Sequence, residues 1–210
     1  MSVLNIEEVC RLAPVVPVLV IDDLEKAVPL AEALVAGGLR ALEVTLRTPV
    51  ALKAIRAIAD AVPSAEIGVG TLRSADDVKA SVDAGARFGV SPGFTDAVMD
   101  AADAANLPML PGVATPSEAM AAADRGLTIL KFFPAEANGG APVLNAWASP
   151  IAGLKFCPTG GISEKNARDY LKLPNVVCVG GSWVAPKSAI AEGNWDEITR
   201  ISKEACALLS

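Results

Sequence analysis

An α/β fold, specifically a (β/α)8 or TIM barrel with an extra N-terminal helix, is what the sequence predicts, on three observations. Short runs rich in apolar and β-branched residues recur eight times, starting at Pro14, Leu39, Ala65, Ala86, Leu107, Thr128, Leu154 and Asn175. Successive starts lie 21 to 26 residues apart, and the gaps carry helical patterns. The runs are apolar nearly throughout rather than alternating, as expected of parallel strands covered by helices. An open sheet would show two edge strands of more polar or alternating pattern, so eight equivalent units favour closure.

The elements follow in order. IEEVCRLA, before Pro14, predicts the extra helix, closing the bottom of the barrel. PVVPVLV is strand 1. DDLEKAVPLAEALVAGG then predicts a helix with Asp22 as N-cap, an apolar face of Leu24, Ala27, Val28, Ala31, Leu34 and Val35, and Gly37 as its stop. Pro29 inside it predicts a kink or a loss of helix stability. LRALEVT and AEIGVG are strands 2 and 3, followed by the helical SADDVKASVDAGA. ARFGVSP and TDAVMDAADAA, then LPMLPG and TPSEAMAAADRG, give the fourth and fifth units. TILKFFP, LKFCPTG with SEKNARDYLK, and NVVCVGG complete the eight. No linker, low-complexity tract or charge run divides the chain, so residues 1–210 are expected to form one domain.

Composition narrows the function. With 210 residues, 52% of them hydrophobic, the chain can bury a sizeable core. A net charge of −6 without any Lys/Arg-rich cluster argues against a nucleic-acid partner. The apolar run Leu12–Ile21 is ten residues long, too short for a bilayer, which needs about 20, and it lacks a basic flank and a cleavage site. The expectation is a cytoplasmic protein with no membrane partner. Cys10, Cys157, Cys178 and Cys206 have neither metal-like nor redox spacing and are expected to be reduced and mostly buried. There is no histidine, which excludes His-ligated metals, Ser-His triads and imidazole acid-base chemistry. Any catalysis must rest on carboxylates, lysine, arginine, hydroxyls or thiols, and no metal or cofactor is expected.

In a barrel the active site lies at the C-terminal ends of the strands. That rim holds Glu43, Thr45 and Arg47 after strand 2, Thr71 and Arg73 after strand 3, Ser91 after strand 4, Lys131 on strand 6, Thr159 after strand 7 and Ser182 after strand 8. Lys131 lies in phase with Ile129 and Phe133, in the middle of LKFFPAEANGG. Facing the axis, its amine would be enclosed, a setting that favours the neutral form needed for imine formation with a ketone. The alternative is a lysine that packs its stem and sends its head to solvent or to a carboxylate. Glu43, in phase with Leu39 and Ala41, is the natural proton carrier in a chain without histidine, or else the ion-pair partner of Lys131 or Arg47. Arg47 and Thr71 could hold a carboxylate; otherwise they are a solvated loop arginine and a helix-capping threonine. Two glycine turns, Thr159-Gly160-Gly161-Ile162-Ser163 and Gly180-Gly181-Ser182, follow adjacent strands where barrels often bind phosphate. Ketone, carboxylate and phosphate together describe a phosphorylated 2-keto acid.

LEVTLRT, VGT, SPGFT, KFFPAEANGG, FCPTGGIS and GGSW, in this order between about Pro14 and Trp183, resemble the bacterial 2-keto-3-deoxy-6-phosphogluconate (KDPG) and 4-hydroxy-2-oxoglutarate aldolases. The resemblance implies a trimeric, metal-independent class I aldolase on a (β/α)8 barrel. It implies Lys131 as the Schiff-base lysine and Glu43 as general acid/base. Arg47 and Thr71 would bind the pyruvate carboxylate, Thr159, Phe133 and Pro92 would contact substrate, and Gly160, Gly161, Gly181 and Ser182 would hold the phosphate. Arg73 departs from the family, which often has an aliphatic residue there. Two other readings stand beside KDPG cleavage: an enzyme acting mainly on 4-hydroxy-2-oxoglutarate, and a non-catalytic sugar-phosphate-binding barrel.

Overall fold

The computed structural model describes residues 4–209. It is an α/β fold with a curled, wholly parallel sheet. A short helix, α1 (Ile6–Cys10), leads into β1 (Val15–Leu19), and β2 (Ala41–Thr45), β3 (Glu66–Gly70) and β4 (Phe88–Val90) follow. The fifth predicted strand is split into β5 (Met109–Leu110) and β6 (Gly112–Val113). The cause is Pro111, which has no N–H to give the ladder, although its carbonyl still accepts from Lys131 N at 2.9 Å. The predicted sixth strand is therefore β7 (Ile129–Phe132), with β8 (Lys155–Pro158) and β9 (Val179–Gly181) after it. Six strands run in the order β5-β4-β3-β2-β1-β9 and three in the order β6-β7-β8. Isolated parallel bridges Phe156↔Val176 and Thr159↔Gly180 connect the β8 segment to the β9 segment.

Helices α2 (Ala27–Ala36), α3 (Ala51–Ala61), α4 (Ala75–Asp83), α5 (Asp96–Ala104), α6 (Pro116–Asp124), α7 (Gly140–Trp147) and α8 (Glu164–Leu171) connect successive strands, and α9 (Lys187–Glu192) and α10 (Trp195–Cys206) end the chain. Their starts follow local chemistry. Ser74 caps α4, and Thr115 with Glu118 makes a reciprocal capping box on α6, with Pro116 in its first turn. The expectation around Pro29 is corrected. Residues 24–26 form a 3-10 turn capped by Asp23, not Asp22, and α2 begins at Ala27. Pro29 thus sits in the first turn, where its missing N–H would have had no intrahelical partner, so no kink is required.

The strands alternate between two cores. Leu42, Val44, Leu130, Phe132 and Phe156 belong to the larger one, packed against the helices, while Ala41, Phe88, Val90, Ile129, Cys157 and Cys178 belong to a smaller one that also includes Val9 and Cys10 of α1. This is the period-two consequence of strands buried on both faces. Each Leu, Ile or Phe fully buried this way contributes about 1.5–3 kcal/mol. The larger core anchors the strands; the smaller one continues directly into the site.

Candidate active site

Two residues beyond Ala41 on β2 comes Glu43, and two beyond Ile129 on β7 comes Lys131. Lys131 Nζ lies 3.7 Å from Glu43 Oε1. Lys131 is 3% exposed and Glu43 2%, so the pair is a buried one between strands that are not neighbours in the sheet. Replacing such a pair by apolar residues of similar size is often neutral or stabilising, so stability alone does not account for it. Glu43 Oε1 also has no hydrogen-bond partner among the described residues, an acceptor left open beside the Lys131 amine. The Phe133 ring flanks the ammonium, with its centroid 4.8 Å from Nζ. Gly70, at the end of β3, makes room for the carboxylate: a Cβ there would fall 2.1 Å from Glu43 Oε1.

Arg47, in the loop after β2, donates from Nε to Thr71 Oγ1 at 3.3 Å. Thr71 has φ +67°, a left-handed conformation that costs a β-branched residue on the order of 1–3 kcal/mol and clusters at functional sites. It does not cap α4; Ser74 does. A cavity of about 480 Å³ opens beside Arg47 and Phe133, and Thr159, Gly160, Gly161, Gly181 and Ser182 line it. Gly160 and Gly161 take φ +99° and +78°, which L side chains adopt only under strain. The turn is tied down from behind. Ala135 N donates to Thr159 O at 2.8 Å, Glu136 N to Gly160 O at 3.1 Å, and Asn166 Nδ2 to Gly161 O at 3.1 Å. Among the described residues the N–H groups of Gly161 and Ile162 donate to no backbone carbonyl.

Glu136 also accepts a hydrogen bond from the Tyr170 hydroxyl. Burial, together with that hydrogen bond and the nearby carboxylate charge, holds the Tyr170 phenol above its usual range, so it remains a donor.

The structure thus brings together Lys131, Glu43, Arg47, Thr71, Phe133, Thr159 and both glycine turns. Pro92 follows β4, its carbonyl packed against Gly112, and like Lys131, Glu43 and Thr71 it does not itself line the cavity. Two rim side chains are committed elsewhere: Thr45 Oγ1 donates to Leu19 O at 2.9 Å and Ser91 Oγ to Gly93 O at 2.7 Å. At Arg73 it is the backbone N–H that is engaged, by Asp77 Oδ2 at 2.9 Å. The sequence reading missed Gly70 and Lys187, the second of which lines the cavity. Its signal was position: PKSAI follows the second glycine turn within a few residues.

A family model described as KDPG and KHG aldolase matches residues 6–201. The chain belongs to this aldolase family. Among its aldolase relatives, 2-dehydro-3-deoxy-phosphogluconate aldolase of Dickeya dadantii is 52% identical, covering 96% of this chain and 94% of the relative. KHG/KDPG aldolase of Escherichia coli K12 is 51% identical, over 95% and 93%. The solved KDPG aldolase of Legionella pneumophila holds pyruvate captured at low pH as a covalent carbinolamine. It superposes with a TM-score of 0.93 at 48% identity, covering 96% of this chain and 98% of that one. The Zymomonas mobilis aldolase with 3-phosphoglycerate gives 0.91 at 48% identity, over 99% and 97%.

Proposed function

We propose that this chain is a class I aldolase that cleaves 2-keto-3-deoxy-6-phosphogluconate into pyruvate and glyceraldehyde 3-phosphate. The observation that carries this reading is the buried Lys131–Glu43 pair beside Phe133, a residue that also lines the cavity walled by the glycine turns. The Lys131 ammonium passes its proton to the Glu43 carboxylate, and the freed amine adds to the C2 ketone to give a carbinolamine. Glu43 delivers the proton with which the hydroxyl leaves as water, forming the iminium. The Glu43 carboxylate then takes the C4 hydroxyl proton, the C3–C4 bond breaks, and its electron pair moves into the iminium to give an enamine. Glyceraldehyde 3-phosphate departs. Protonation of C3 and addition of water release pyruvate and restore the lysine.

In this reading Arg47 and Thr71 hold the pyruvate carboxylate, Thr159 and Phe133 flank the reacting carbons, and Gly160, Gly161, Gly181 and Ser182 receive the phosphate. Pro92 shapes the rim from outside the lining. The E. coli relative's name supports 4-hydroxy-2-oxoglutarate as a second substrate of the same imine chemistry. A purely binding role would leave the buried amine and carboxylate without purpose.

We also read the two sheets as one closed eight-stranded barrel in a single domain. Its support is that β5 and β6 are separated by Pro111 alone and that two bridges join the β8 and β9 segments. Packing of Val9 and Cys10 into the smaller core supports α1 as the plug of the barrel's lower end. A homotrimer rests on family resemblance. No helix among the described residues is long and apolar enough to cross a membrane, and four free cysteines accord with a reducing compartment such as the cytoplasm.

The test is to incubate the protein with pyruvate and borohydride and map the adduct. A reduced pyruvate adduct on Lys131 is expected. No covalent mass, or mass on another lysine, would sink the Schiff-base assignment.

A further inference from the structure

We propose that Lys187 is the cation that reads the substrate's phosphate and thereby sets the preference for phosphorylated over unphosphorylated 2-keto acids; this rests on the aldolase reading above. The cavity lining contains two charged residues, Arg47 and Lys187, and no carboxylate. In a chain of net charge −6, a cleft with only positive charges in its lining concentrates anions. The substrate carries one anion at each end. Arg47 is joined to Thr71 at the carboxylate end by its 3.3 Å hydrogen bond, which leaves Lys187 for the other.

The chain path supports this. After the Gly181–Ser182 turn, Ala185 N donates back to Ser182 O at 3.2 Å, and Pro186 directs the chain into α9, so Lys187 returns to the rim it has just left. Lys187 is exposed and makes no ion pair among the described residues. By contrast, Lys26 nearby is committed, its Nζ donating to Ala191 O at 2.8 Å. A compact ammonium on a flexible stem can meet a phosphate as a point charge. Lys187 also borders a second, smaller cavity lined by Asp22 and Asp23.

The experiment compares wild type with Lys187→Ala and Lys187→Arg. Steady-state kinetics use KDPG and its unphosphorylated analogue 2-keto-3-deoxygluconate, and binding uses glycerol 3-phosphate, with glycerol as control. Lys187→Ala is expected to raise KM for KDPG and Kd for glycerol 3-phosphate about threefold to tenfold, an effect that shrinks with added salt. Its kcat, its kinetics on 2-keto-3-deoxygluconate and its pyruvate trapping should stay unchanged, and Lys187→Arg should recover most of the loss. Unchanged KM for KDPG, or equal losses on both substrates, would overturn the proposal. If wild type traps no pyruvate but glycerol 3-phosphate binding still depends on Lys187, the aldolase reading falls while the phosphate contact stands.

Discussion

The two ends of the sheet's interior are built from the same strands and differ in chemistry. At the lower end lie Ala41, Phe88, Ile129, Cys157 and Cys178, packed as an apolar core with Val9 and Cys10. Two residues further along those strands come Glu43, Val90, Lys131, Thr159 and Gly180. Register staggers the change from strand to strand: Glu43 pairs with Gly68, which pairs with Phe88, and Lys131 pairs with Gly112 and Cys157. A strand repeats its facing every two residues, so on β2 and β7 a single step leads from packing to the Glu43–Lys131 pair, while on β4 Val90 stays in the apolar core. The lower end supplies rigidity, and the upper end spends it on holding two opposite charges away from water.

If that division is right, substitutions at the two ends should separate activity from stability. Lys131→Met combined with Glu43→Gln should reduce aldol cleavage to background and remove the borohydride adduct, while thermal unfolding shows the melting temperature kept or raised, because both desolvated charges are gone. Glu43→Gln should lower kcat by about 10²- to 10⁴-fold with the fold unchanged by circular dichroism. Gly70→Ala would push a methyl group into the Glu43 carboxylate; stopped-flow or steady-state assays should show loss of kcat with little change in KM for KDPG. At the lower end the pattern reverses. Phe88→Ala should cost about 3–5 kcal/mol in denaturant unfolding, with kcat at a temperature where the variant is folded staying close to wild type. If kcat fell as far as stability did, the two ends would not be separable.

The smallest effect concerns the thiols. Hydrogen bonding to Cys10 and Cys157, with burial, pushes the Cys178 thiol well above its ordinary range, and burial raises half-buried Cys206 as well. Of the four cysteines, native protein near neutral pH should release colour from a disulfide reagent only slowly and only at Cys206, and all four should react after unfolding. Fast labelling of Cys178 in native protein would mean that the lower core opens.

Much of this was legible in the linear sequence because the signals are local. Strand and helix alternate with a readable period, Thr115 and Ser74 announce their helices, and a lysine inside an apolar strand is conspicuous in any fold. Where the local reading slipped, competing local chemistry was the reason. Pro111 interrupts a strand that reads as continuous. Asp23 takes the capping role that Asp22 offers equally well on paper, which moves Pro29 to a harmless place.

The sequence by itself determined the parallel α/β plan, the exclusion of imidazole chemistry and the short set of residues able to react, since these depend on residue type and on periods of a few positions. Only the tertiary structure decided which of them meet. Glu43 and Lys131 are 88 positions apart in sequence and 3.7 Å apart in space. Gly70 matters because a carboxylate from the neighbouring strand fills the space above it, and Lys187 because the chain turns back to the cavity after Ser182. Distances between strands are set by how the sheet curls, and that curl is a property of all the packed strands together rather than of any one segment.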